Sequence, residues 1–127
     1  MKVSMFDVSD LENPKEMYTI DIGEKFITSE LMNNHKALFY NKSRDLIGFP
    51  YTHRGNTAND DENGLILLKI DLEKGFEEYG KISNKVNSST NIDRAIYIND
   101  VLYTLSDTQI ISYDLNTIEK LKELIFE

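Results

Sequence analysis

The sequence contains no cysteine, which excludes disulfides, thiolate nucleophiles and cysteine-ligated zinc or iron–sulfur centres. Histidine is scarce: only His35 and His53 are available for acid–base work or metal ligation. Cations are outnumbered, with 14 Lys and Arg against 22 Asp and Glu and a formal net charge of −8. Such a field repels phosphate backbones and anionic lipid, so nucleic acid is not expected as a partner. No apolar run reaches the roughly 18 residues of a membrane span, and Met1-Lys2-Val3-Ser4-Met5-Phe6-Asp7 lacks the apolar core of a signal peptide. The six glycines (Gly23, Gly48, Gly55, Gly64, Gly75, Gly80) are isolated, so no phosphate-cradling loop is present and each marks a turn or bulge. Ser4, Ser9 and Ser29 sit in no G-x-S-x-G elbow, which leaves nothing to build a serine hydrolase on.

What is present reads as one all-β domain spanning residues 1–127. With 40% hydrophobic residues, the chain has enough apolar material for a single core. The apolar residues come in short runs rich in Ile, Val, Phe and Tyr, bounded by Asn, Asp, Gly and Lys, a pattern that favours strands. Expected strands are Val3 to Val8, Met17 to Ile22, Lys36 to Tyr40, Leu46 to Tyr51, Leu65 to Leu72, Phe76 to Ile82, Ala95 to Ile98, Val101 to Leu105, Ile110 to Leu115 and Glu119 to Ile125. Polar, turn-forming clusters such as Glu73-Lys74-Gly75 and Asn99-Asp100 separate them, which makes sequential hairpins. Leu65-Ile66-Leu67-Leu68 and Ala95-Ile96-Tyr97-Ile98 do not alternate with polar residues, so these strands are expected to be covered on both faces.

An internal repeat organises the chain. Val3 to Val8, Ile66 to Leu72 and Ile110 to Leu115 each end in apolar-Asp-apolar, at Asp7, Asp71 and Asp114, and each is followed by a polar turn and a charged strand. Lys36-Ala37-Leu38-Phe39-Tyr40 and Arg94-Ala95-Ile96-Tyr97-Ile98 form a second repeated signature. The interval from Asp71 to Asp114 matches the roughly 40–50 residues of one propeller blade. The repeat therefore predicts a partial β-propeller of about two and a half four-stranded antiparallel blades: outer strands of a first blade in 1–22, a second blade in 36–82 and a third in 94–126. A closed ring takes about four to eight blades, so the expectation is self-association or further upstream blades. The C-terminal segment is the one local conflict, because Ile118, Leu121, Leu124 and Ile125 also have helical spacing. Its place in the repeat predicts a strand.

Taken in order, the segment from Val3 to Glu16, His35-Lys36-Ala37-Leu38-Phe39, Gly64 to Asp71, Arg94 to Ile98 and Leu102-Tyr103-Thr104-Leu105-Ser106 resemble the C-terminal part of the secreted bacterial and archaeal β-propeller-domain proteins distantly related to WD-repeat proteins. The resemblance implies a fragment of a larger exported protein, located outside the cell or at the cell envelope, and brings no catalytic residues and no cofactor.

Bottom-up, few residues could carry chemistry. His35 and His53 could meet if their strands form one hairpin, though lone loop histidines are commonly solvated. Asp60-Asp61-Glu62, flanked by Asn59 and Asn63 in the polar loop 52–63, offers hard oxygen ligands for calcium without the spacing of an EF-hand. Repeat-equivalent Asp7, Asp71 and Asp114 suit main-chain bonding in the following turn. Lys36 and Arg94 suit ion pairs at blade junctions, or a basic ring around an anionic ligand. The expected function is a non-enzymatic interaction module for a protein or glycan, with no catalytic, cofactor-binding or metal residues assigned. The alternative is a calcium-dependent site or hydrolase on loop 52–63.

Overall fold

A computed structural model describes residues 1–22, 27–57, 60–85 and 91–126. Among them there is no α-helix, and eleven strands form three antiparallel sheets. The first sheet pairs β1 (Lys2–Asp7) with β2 (Lys15–Asp21). The middle sheet holds β5 (Leu46–His53), β6 (Glu62–Asp71) and β7 (Gly75–Lys85). Two short strands share the free edge of β5: β4 (Phe39–Asn41) lies along its start and β3 (Ile27–Thr28) along its end. The last sheet runs β8 (Arg94–Ile98), β9 (Val101–Leu105), β10 (Gln109–Asp114) and β11 (Lys120–Ile125) in simple meander order.

The apolar run in β6 explains the layering. Leu65 and Leu67 point to one side, where they join Phe39, Leu46 and Ile82 against Ala95, Leu102, Ile111 and Tyr113 of the last sheet. Ile66 and Leu68 point to the other, where they join Phe49 and Tyr51 against Ile22, Val3 and Ile20 of the first sheet. Successive strand residues face opposite sides, so a strand buried on both faces must be apolar throughout. The middle sheet is thus sandwiched between the other two.

The repeat is written into the turns. Asp7 accepts the Ser9 amide at 2.8 Å, Asp71 accepts those of Glu73 at 2.7 Å and Lys74 at 3.0 Å, and Asp114 accepts that of Asn116 at 2.7 Å. Each carboxylate closes the turn after its strand by bonding its own main chain. These backbone donors favour the ionised form, which lowers the Asp7 and Asp71 pKa values. Each hairpin between the third and fourth strands of the repeat also carries a register shift: Met5/Phe6, Leu67/Leu68 and Ser112/Tyr113. Such bulges bend and twist an outer strand.

Two expected strands differ from the sequence reading. Ala95 to Ile98 is covered on one face only, since Ile96 and Ile98 are exposed on the other. The expected strand Lys36 to Tyr40 begins only at Phe39, because the Asn34 side chain caps a 3₁₀ turn over His35–Ala37 by accepting the Lys36 amide at 3.1 Å. The similarity between Lys36-Ala37 and Arg94-Ala95 is consequently not a shared position. Arg94 opposes Leu105, which opposes Ile110; the matching place in the middle sheet, opposite Gly48 and Leu67, belongs to Phe39. The C-terminal segment is strand, as its place in the repeat predicts. β11 pairs with β10 from Lys120 to Ile125, and Ile118 just before it adopts φ 59°, a left-handed backbone that ends any helix there.

Candidate functional site

The fold gives a place to the loop, histidine and serine candidates. The loop 52–63 is shorter than its sequence suggests, since Thr52 pairs with Asn63 and His53 with Glu62 as ends of β5 and β6. Its carboxylates turn inward to their own loop. Asp61 accepts the Gly55 amide at 2.9 Å, and Asp60 accepts the Thr57 hydroxyl at 2.8 Å. Asn59 lies outside the described residues, as does Gly23. Among the described residues no group of three His, Asp or Glu side chains gathers to hold a metal.

The histidines are held apart by β3. The place opposite His53 on the edge of β5 is taken by Ile27, while His35 sits in the 3₁₀ turn ahead of β4. Two of the serines are similarly committed. Ser4 bonds Thr19 across the first sheet at 3.1 Å, and the buried Ser29 donates to the Pro50 carbonyl and accepts the Leu31 amide at 3.1 Å.

Glu62 anchors the main polar cluster on a sheet face. It accepts the Tyr51 hydroxyl, and the Lys81 ammonium lies 3.2 Å from its Oε1. That ammonium also sits 4.9 Å from the centre of the Tyr51 ring, a cation–π distance. Burial and the Glu62 partner push the Tyr51 pKa upward, so the phenol stays a donor. The Tyr51 hydrogen bond, with smaller help from Ser83 and Lys81, holds Glu62 down to about 2. Sequence reasoning missed this cluster because its members come from three strands. The available signal was Gly64, which faces Tyr51 across the sheet and leaves room for its ring.

Contacts between sheets form a second set that the sequence did not announce. Tyr18 of the first sheet donates to the Glu73 carbonyl of the middle sheet at 2.5 Å, and Tyr79 of the middle sheet donates to the Leu115 carbonyl of the last at 2.5 Å. Gly75, at φ 86°, lies under the Tyr18 ring, where a Cβ would come within 2.8 Å. Arg44 adds a clamp from the β4–β5 hairpin to the last sheet, reaching Asn116 Oδ1 at 2.9 Å and Asp100 Oδ1 at 2.5 Å. All of these groups are occupied by protein partners, and the arrangement holds sheets in register.

Among the described residues, two outward sheet faces are left without a layer over them. On the last sheet, Ile96, Ile98 and Leu124 are 43%, 57% and 60% exposed, beside a groove of about 400 Å³ lined by Tyr103, Ile110, Ser112, Lys122, Glu123 and Leu124. The first sheet turns Lys2, Ser4, Glu16, Thr19 and Asp21 outward, with Phe6 52% exposed among them. The outward face of the last sheet is thus apolar over Ile96, Ile98 and Leu124, while that of the first sheet is polar apart from Phe6.

A family model described as a beta propeller domain matches residues 1–118. An uncharacterized protein of Archaeoglobus fulgidus is 33% identical over 124 residues, which cover 98% of this chain and 17% of that protein. An uncharacterized protein of Methanocaldococcus jannaschii is 26% identical over 129 residues, covering 100% of this chain and 18% of that protein. The chain thus spans less than a fifth of the length of these relatives. No solved structure matches it.

Proposed function

Because the chain belongs to the β-propeller domain family, we propose that it is a non-enzymatic interaction module, a propeller segment of about two and a half blades whose end faces are covered by further sheets. The observation that carries this reading is the contrast between the middle sheet, buried on both faces, and the last sheet, whose outward face exposes Ile96, Ile98 and Leu124. Its loops would offer a protein or glycan the surface complementarity that propellers provide, with no bond made or broken. The commitment of Asp60, Asp61, Glu62, Ser4 and Ser29 to hydrogen bonds within the protein supports this reading over a calcium site or hydrolase on loop 52–63. Resemblance to exported propeller proteins supports a place outside the cell or at its envelope.

Light scattering over a range of protein concentrations tests the proposal. The expected result is a discrete multiple of the chain mass that forms as concentration rises. A chain that stays monomeric at high concentration would mean that its open faces need no cover, and the reading would fall.

A further inference from the structure

The two outward faces are related through the repeat, and that relation identifies what each one fits. Phe6, Ile70 and Tyr113 each precede the repeated aspartate, Asp7, Asp71 and Asp114. Tyr113 is buried at 7% exposure in the core between the last and middle sheets, where it meets the side of the middle sheet formed by Leu65, Leu67 and Ile82. Phe6 occupies the same repeat position on the first sheet and points outward, 52% exposed. The outward face of the last sheet, in turn, corresponds to the side of the middle sheet that receives Tyr113: Leu67 and Ile110 both stand four residues before their aspartates. One face therefore carries an aromatic knob and the other carries the kind of surface that takes such a knob within this chain.

Charge agrees with shape. The outward face of the last sheet carries Arg94 and Lys122 against one acid, Asp114, placed by the rows Arg94–Leu105–Ile110–Leu124, Ile96–Tyr103–Ser112–Lys122 and Ile98–Val101–Asp114. Its groove also includes Glu123, which is already paired with Lys120. The outward face of the first sheet carries Glu16 and Asp21 with a single cation, Lys2. In a chain of net charge −8, a face on which two cations outnumber the one acid Asp114, with Glu123 already paired, is a localised exception, and it complements the first-sheet face, on which acids outnumber the cation.

Resting on the self-association reading above, we infer that a second copy of this chain docks head to tail, with its first sheet against the last sheet of its neighbour and Phe6 seated in the groove beside Ile110 and Leu124. Such a contact is heterologous, joining two different patches, so it propagates around a ring or along an open stack instead of stopping at a twofold pair.

Two variants separate this arrangement from every other mode of association. Phe6→Arg spoils only the first-sheet face, and Leu124→Glu spoils only the last-sheet face; both positions are exposed, and circular dichroism verifies that each variant folds. Each variant alone is expected to scatter as a monomer. An equimolar mixture retains one intact pair of faces and is expected to give a species of twice the monomer mass. If Phe6→Arg associates like the parent chain while Leu124→Glu does not, the last-sheet faces pair with themselves; self-association would stand and the head-to-tail docking would be overturned. A mixture that remains monomeric overturns it as well. A parent chain that is monomeric throughout removes both readings.

Discussion

Gly64→Ala is expected to destabilise the protein by about 3 kcal/mol or more, at the upper end of what overpacking costs. Gly64 lies in the central strand β6, between Tyr51 of β5 and Ser83 of β7. A Cβ added there would stand 1.8 Å from the Ile82 carbonyl oxygen and 2.9 Å from Cε1 of the Tyr51 ring. The first obstacle is the backbone of β7, the edge strand, which its ladder to β6 holds in place, so it cannot swing away as a flexible side-chain end would. Strand β7 would have to separate from β6, and Tyr51 would leave the position from which it donates to Glu62. Thermal unfolding followed by circular dichroism checks this; a loss of that size lowers Tm by roughly 10–15 °C in a domain of this length. A melt close to that of the parent would mean that a local shift in the ladder absorbs the methyl, contrary to the packing described here.

Glu62→Gln is expected to cost about 1–2 kcal/mol at pH 7 and almost nothing near pH 2. The sign follows from the direction of the shift. Glu62 is held down to about 2 in the folded protein, against an ordinary 4.5, so the folded state favours its charged form. Its contribution is complete above about pH 5 and is lost as the pH falls through the interval from 4.5 toward 2. The magnitude is kept below the full value of the shift because the Lys81 side chain is 43% exposed and its charge is screened. Chemical denaturation of both proteins at several pH values isolates this group, since the other carboxylates titrate in both. Parallel stability curves for the two proteins would show that Glu62 is not coupled to Tyr51 and Lys81.

Much of the fold was legible in the sequence because its signals are local. Leu65-Ile66-Leu67-Leu68 announced a strand buried on both faces, and the two clusters on either side of β6 are the physical form of that announcement. The repeated aspartates were legible for the same reason, since each bonds amides within three residues of itself. Helical spacing in Ile118, Leu121, Leu124 and Ile125 misleads when taken alone. Ile118 packs on the core while Leu121, Leu124 and Ile125 stay exposed, and ladder hydrogen bonds to β10 outweigh a helical propensity that is weak in so short a segment.

What escaped the sequence depends on distant partners. β3 is two residues held in place by His53 and Thr52 of β5, too short for any periodicity. The signature at Lys36 and Ala37 suggested a strand because composition does not reveal that Asn34 will cap a turn. Tyr51, Glu62 and Lys81 meet only after β5, β6 and β7 are aligned. The interaction surface was the least legible part: Phe6 looks like any strand residue until its repeat equivalent, Tyr113, is seen buried between sheets.

The central claim is that the middle sheet is closed on both sides while the end sheets are open, and amide hydrogen exchange at low protein concentration tests it most directly. The slowest amides are expected in β6 from Leu65 to Leu68, which have strands on both edges and sheets on both faces and exchange only through global unfolding. The fastest ladder amides are expected in β1, β8 and β11, each paired along one edge only. Exchange in β6 that is no slower than in β1 or β11 would contradict the stacked arrangement and the interaction faces inferred from it.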